Sequence, residues 1–127
     1  MTLARRFREL VLAPEILILP GIHDALSARI MAQAGFAAAT AGGYSASATL
    51  LAAPDVSLLS LAEMAEQYAR LVEAGGLPLL VDGDTGFGNA SNAARMVQSF
   101  ERAGVAALFI EDQVFPKRAS YHRGLEH

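Results

Sequence analysis

One repeating pattern constrains this chain more than any other. A short apolar run leads into a polar or glycine-rich turn, then into an alanine-rich amphipathic stretch ending in Ala-Gly, and the cycle repeats. The closing pairs are Ala34-Gly35, Ala74-Gly75 and Ala103-Gly104. Glycine just past a helix adopts the left-handed conformation without a Cβ penalty, so each pair reads as a helix stop. Four strands are predicted, at Ile16–Ile22, Ala37–Ala41, Pro78–Val81 and Ala106–Ile110. Each is a continuous apolar run, the pattern of a strand covered on both faces. Helices are predicted between them at Asp24–Ala34, Leu61–Glu73 and Asn92–Ala103, with a leading helix at Leu3–Leu12. Ser60 followed by Glu63 is a capping box for the second of these.

A βαβαβαβ order implies a parallel sheet with right-handed crossovers. Such a sheet is either open and doubly wound or closed as a (β/α)8 barrel, which needs about 250 residues. At 127 residues, with four strands and no helix after the fourth, the expectation is one partial α/β domain over residues 1–127. It corresponds to the N-terminal half of a TIM-type barrel, in a sequence cut short. The final Leu125-Glu126-His127 fits a vector remnant and natural sequence equally.

Composition removes several function classes. With 53% hydrophobic and 18% charged residues, the chain is not a disordered one. Ten Lys+Arg and a net charge of -3 give no electrostatic footprint for nucleic acid. The absence of cysteine excludes disulfides, thiolate zinc sites and a cysteine nucleophile, and fits a reducing compartment. Arg5, Arg6 and Arg8 precede an apolar stretch, but Pro14, Glu15 and Pro20 interrupt it, unlike a signal peptide. No run reaches the roughly 20 apolar residues of a membrane span. A cytoplasmic protein without a membrane partner is expected.

Ligands of parallel α/β sheets bind at the carboxyl ends of the strands, and the unusual residues lie there. The four strand ends read Gly21-Ile22-His23-Asp24, Gly42-Gly43-Tyr44-Ser45, Asp82-Gly83-Asp84-Thr85-Gly86-Phe87-Gly88 and Glu111-Asp112-Gln113. Asp82 and Asp84 are two residues apart, so both carboxylates leave the strand in one direction. Glu111 ends the neighbouring strand and brings a third. Three hard oxygen donors without His or Cys suit Mg²⁺ or Mn²⁺. The competing reading, a plain Asp-Gly turn, weakens once Glu111 is placed at the next strand end. Asp24 serves a substrate or an N-cap, and Thr85 a turn. Lys117 and Arg118 hold a carboxylate or are surface charge. His122 beside Tyr121 is an acid/base candidate or a solvated loop residue, and Met31, Met64 and Met96 fit the core.

The runs Leu79-Leu-Val-Asp-Gly-Asp-Thr-Gly-Phe-Gly88, Phe109-Ile-Glu-Asp-Gln113 and Lys117-Arg118 resemble the isocitrate lyase/phosphoenolpyruvate mutase superfamily, as do Leu19-Pro-Gly-Ile-His-Asp-Ala25 and Ala41-Gly-Gly-Tyr-Ser45. The resemblance covers nearly the whole chain. It implies an α/β barrel, homo-oligomeric at full length. It also implies chemistry on a small 2-oxo or 2-hydroxy carboxylic acid through an enolate, with Mg²⁺ or Mn²⁺ as cofactor. By resemblance, Asp82 and Asp84 hold the metal and its waters and Glu111 supports them. Gly42, Gly43, Tyr44, Ser45 and Lys117 then face the substrate.

One departure bears on the reaction. Carbon–carbon lyases of this superfamily follow the basic pair with Cys-Gly-His, the Cys acting as acid/base, whereas here Ala119-Ser120-Tyr121-His122 follows. Ala119 transfers no proton. Either Tyr121 or His122 replaces the cysteine, or the reaction needs no such acid, as in oxaloacetate decarboxylation or a phosphonopyruvate reaction. Two other readings stand beside this one. A haloacid dehalogenase-type phosphatase also carries an apolar strand into Asp-x-Asp, but on the first strand and with Thr or Val where Gly86 stands. An inactive fragment or scaffold is the third.

Overall fold

The computed structural model describes residues 1–117. The elements, in chain order, are α1 (Leu3–Leu12), α2 (Ala25–Gln33), β1 (Ala39–Ala41), α3 (Gly43–Leu51), α4 (Leu61–Gly75), β2 (Leu79–Asp82), α5 (Ala90–Arg102) and β3 (Ala107–Phe109). The starts of α1, α2, α4 and α5 are set by side chains that satisfy the free N–H groups of a helix's first turn. Asp24 accepts from the Ser27 amide at 2.7 Å while Ser27 Oγ receives the Asp24 N–H at 3.0 Å. Ser60 with Glu63 and Asn89 with Asn92 repeat this reciprocal box on α4 and α5.

The three strands lie parallel in the order β1-β2-β3. Ala39 pairs with Leu79, and Leu80 with Ala107, so the carboxyl ends of β1, β2 and β3 share one rim. Leu79 and Val81 are buried on one side of β2 and Asp82 ends it. The core packs around Tyr68, Leu71, Met96 and Phe100, with the Tyr68 and Phe100 rings edge-to-face at 5.1 Å. Small residues let α2 and α4 approach closely: a Cβ on Gly75 would lie 3.2 Å from the Ala28 carbonyl.

Three expectations need correction. The first predicted strand, Ile16–Ile22, is not a strand but an extended segment with a single parallel bridge, Gly21 to Thr40. Its hydrogen bonds are Ile22 N–H to the Thr40 carbonyl at 2.9 Å and Thr40 N–H to the Pro20 carbonyl at 3.0 Å. Pro20 has no N–H to give a ladder, and Ile16 is 91% exposed, so the run is not covered on both faces. Four strands therefore become three plus a bridge. Second, a helix absent from those predicted, α3, begins at Gly43 within the Gly42-Gly43-Tyr44-Ser45 strand end. Apart from Tyr44 and the closing Leu50-Leu51, this helix consists of Gly, Ser, Ala and Thr and carries no strong apolar stripe, which is why its periodicity is invisible. Third, Gly75 is the last residue of α4, and the left-handed stop is Gly76 at φ 63°.

The turn after β2 is tight. Gly83 N–H donates to the Phe109 carbonyl at 2.8 Å, and a Cβ on Gly83 would meet that oxygen at 2.8 Å and Met96 Sδ at 3.0 Å. The carbonyl is held by the sheet and cannot retreat. Gly83→Ala is therefore expected to destabilise the chain by about 1–3 kcal/mol, the usual range for overpacking. Gly21→Ala, whose Cβ would meet nothing within 4 Å, should leave the urea midpoint nearly unchanged. Equal midpoints for the two variants would contradict the packing described.

Candidate active site

Asp82 ends β2 at 5% exposure and is fixed from three directions. The Tyr68 hydroxyl on α4 donates to its backbone carbonyl at 2.8 Å. Its carboxylate accepts the Asp84 N–H at 2.7 Å and the Gly43 N–H at 3.2 Å. Gly43 opens α3, so the electropositive end of that helix faces the carboxylate. A Cβ on Gly43 would come within 3.2 Å of both Asp55 carboxylate oxygens, and glycine there lets the helix start approach the acids.

The segment between α3 and α4 adds Asp55 and Ser57. Ser57 Oγ donates to Asp84 Oδ2 at 3.2 Å and accepts the Lys117 N–H at 3.1 Å. Ser57 and Asp84 are non-glycine residues at φ 60° and 51°, a strained conformation that tends to collect at functional sites. Lys117 closes the group. Its Nζ lies 2.9 Å from Asp55 Oδ2, 3.5 Å from Asp82 Oδ2, 3.9 Å from Asp84 Oδ1 and 3.5 Å from Glu111 Oε1. The lysine is 3% exposed.

Four carboxylates against one ammonium leave three negative charges uncompensated when all are ionised. Burial alone disfavours the Lys117 ammonium, but the hydrogen bond to Asp55 and the charges of Asp82, Asp84 and Asp55 outweigh it and hold its pKa above the ordinary lysine value. Burial raises the Asp84 carboxyl above the ordinary range, against the opposing pull of Lys117 and the Ser57 hydrogen bond. Burial, then the charges of Asp82, Asp55 and Asp84, push the Tyr68 phenol well above its usual value.

The residues expected from the sequence distribute as follows. Asp82, Asp84, Glu111 and Lys117 converge, and Glu111 also accepts from Gln113. Gly42 is the N-cap of α3, Gly43 touches the acids, Ser45 Oγ donates to the Gly42 carbonyl at 3.1 Å, and Tyr44 is 59% exposed. Asp24 is the α2 cap, its carboxyl lowered by the Ser27 amide. Arg118, Tyr121 and His122 lie outside the described residues. Asp55 was not anticipated, since it sits at no strand end; its signal is a lone acid inside the apolar stretch between Ala46 and Leu59. The acids surround an ammonium, and among the described residues no group of three or more is spaced around an ion. As a donor set they still fit a hard divalent cation: all oxygen, no nitrogen or sulfur, and an excess of negative charge.

The family model for phosphoenolpyruvate phosphomutase matches residues 7–126. The chain belongs to that family. Within it, the 2,3-dimethylmalate lyase of Eubacterium barkeri is 44% identical over 126 residues, 99% of this chain and 44% of the relative. The oxaloacetate decarboxylase of Pseudomonas fluorescens (strain SBW25) is 46% identical over 114 residues, 90% of this chain and 39% of the relative. A phosphonopyruvate hydrolase solved in complex with oxalate and Mg²⁺ superposes with a TM-score of 0.86 at 34% identity, covering 93% of this chain and 41% of that one. The α/β fold of parallel strands and covering helices is thus that of solved superfamily members, and the chain spans about two fifths of the length of these relatives.

In this family member the Tyr68 hydroxyl joins the core to the acid group, and its raised pKa has a testable sign. A group whose folded pKa is raised contributes stability that is complete below its unfolded value and lost as pH rises past it. For a phenol that loss begins at about pH 10. Tyr68→Phe should remove that part of the alkaline loss, giving a flatter fall in stability above this pH in denaturant titrations. At neutral pH it should cost about 1–3 kcal/mol, because the Asp82 carbonyl loses its donor. An unchanged alkaline slope would show that Tyr68 does not titrate against the acids.

Proposed function

We propose that the complete protein is a divalent-cation-dependent lyase or mutase acting on a small 2-oxo or 2-hydroxy carboxylic acid through an enolate, with cleavage or formation of a C–C or P–C bond. The observation that carries this is the convergence of Asp55, Asp82, Asp84 and Glu111 on one point at the strand-end rim. Relatives named as 2,3-dimethylmalate lyase and oxaloacetate decarboxylase, and a hydrolase crystallised with oxalate and Mg²⁺, support the substrate class.

Asp82, Asp84, Glu111 and Asp55 would hold Mg²⁺ or Mn²⁺ and its waters. When bound, such an ion supplies Lewis acidity that stabilises negative charge developing on an enolate oxygen. The chain's own groups do the rest. The Gly43 and Asp84 amides and the Tyr68 hydroxyl fix Asp82 before substrate arrives, so no reorganisation is needed during reaction. Gly42, Gly43, Tyr44 and Ser45, at the start of α3, lie on the rim where a substrate carboxylate would be received. Lys117 is assigned to the substrate side as well. Tyr121 and His122 are the proton donors available within the Ala119-Ser120-Tyr121-His122 stretch. Ala119, in place of a cysteine acid, favours decarboxylation or phosphonopyruvate chemistry over isocitrate-type cleavage. In keeping with the superfamily resemblance, the working form is assigned as a homo-oligomer.

The test is a panel of oxaloacetate, phosphonopyruvate and 2-methylisocitrate on the complete protein, with Mg²⁺ and with chelator. Turnover should vanish with chelator and return with Mg²⁺, and Asp82→Ala should lower kcat by about 10²–10³, the size of a lost electrostatic contact to a developing charge. Chelator-insensitive turnover would overturn the mechanism. Strong 2-methylisocitrate cleavage would show that Tyr121 or His122 replaces the cysteine.

A further inference from the structure

Ser57 stands where a glycine would fit without strain. It lies at φ 60°, in the left-handed region that L side chains avoid and glycine enters freely. A residue held in such a conformation beside a functional group points to a task for its side chain. We infer that Ser57 is a positioning residue. Its hydroxyl holds the Asp84 carboxylate and the main chain of Lys117 in fixed register, and so sets where the metal-side acid and the substrate-side ammonium stand relative to one another. The inference rests on the functional reading above.

Three observations carry it. The first is polarity. A hydroxyl has one proton to give and lone pairs with which to accept, whereas an ionised carboxylate only accepts and a backbone N–H only donates. Ser57 Oγ lies 3.2 Å from Asp84 Oδ2 and 3.1 Å from the Lys117 nitrogen. Its proton therefore goes to Asp84 and its lone pair takes the Lys117 N–H, and each bond orients the hydroxyl for the other. The second is a grip at two points from one loop. Asp55 takes the Lys117 ammonium at 2.9 Å while Ser57, two residues on, takes the amide. A lysine stem is long and flexible, so an ion pair alone leaves the main chain free to shift.

The third is a common reference point. Residues 110–117 belong to no helix or strand, so no ladder fixes their path. The Glu111 N–H donates to the Asp84 carbonyl at 2.7 Å, and Ser57 joins the Asp84 carboxylate to Lys117. Both ends of the 111–117 segment are thus tied to one aspartate, the first directly and the second through the hydroxyl. Ser57 and Asp84 also border a cavity of about 380 Å³ lined by Phe87, Arg95 and Phe115, roomy enough for a water to stand in for a missing hydroxyl. Such a water satisfies both groups but is attached to no backbone. Loss of the hydroxyl therefore costs position more than hydrogen bonds.

The experiment compares the complete protein as wild type, Ser57→Gly and Ser57→Ala. Glycine removes the hydroxyl and relieves the backbone, whereas alanine removes the hydroxyl and keeps the strain, so the urea midpoint should be higher for glycine than for alanine. Turnover is measured at saturating Mg²⁺ on whichever of oxaloacetate, phosphonopyruvate and 2-methylisocitrate the wild type accepts. Both variants should lose about 10–100-fold in kcat/KM, the usual effect of removing a group that orients a metal-side ligand, and the two losses should be equal despite the different midpoints. Hydrogen exchange at the Lys117 amide should be faster in both, with core amides of α4 unchanged. Full turnover by Ser57→Gly, or activity that tracks the urea midpoint, would show a merely structural serine and overturn the inference. So would unchanged exchange at Lys117. If the wild type turns over none of the three substrates, the functional reading fails; faster Lys117 exchange in both variants would then still uphold the clamp, and unchanged exchange would remove it too.

Discussion

Burying carboxylates is expensive unless each finds a partner, and the rim of this sheet is organised around that requirement. Asp55 and Asp82 are nearly inaccessible to water, and the Asp84 side chain is largely so. Their surroundings supply what water would have given: amide N–H groups at Gly43 and Asp84, a hydroxyl at Ser57, and the ammonium of Lys117. Removing one partner of such a group costs far more than any single contact contributes, because the remaining charge has nowhere to go. The helix start at Gly43, the strained turn at Asp84 and the left-handed Ser57 are local consequences of this one electrostatic demand.

The scaffold beneath serves it by rigidity. Tyr68 belongs to both layers: its ring packs on Phe100, and its hydroxyl reaches the backbone of Asp82. Gln67, one residue earlier, donates to the His23 carbonyl at 2.7 Å and ties the end of the first extended segment to α4. α4 thus acts as a strut between the first extended segment and the end of β2, and its double-capped start at Ser60 fixes where that strut begins.

Much of this was legible from residues alone, and the reasons differ by element. The caps at Asp24 and Ser60 are short-range chemistry and read directly. The parallel order followed from the Ala-Gly stops, and the convergence of Asp82, Asp84 and Glu111 followed from strand ends sharing a rim. Asp55 was not legible, because its loop between α3 and α4 has no period and its partner Lys117 lies 62 positions away. α3 was hidden by its small residues, and the Ile16–Ile22 run over-read as a strand because apolar composition does not report the N–H that Pro20 lacks. Lys117 read as a charge for substrate or surface; nothing local marks a lysine as the centre of an acid group.

Among the described residues the sheet also has two open margins. On one side Phe109 and Ile110 are nearly half exposed, and on the other Ile16 and Ile18 lie open beside the single bridge at Gly21. A strand margin carries donors and acceptors set at a fixed spacing, and apolar side chains along it repel water from exactly the groups that need pairing. Each margin is therefore a template for pairing with a further strand. With its carboxylates turned inward on Lys117, the sheet meets a further strand along its flanks and not at its rim.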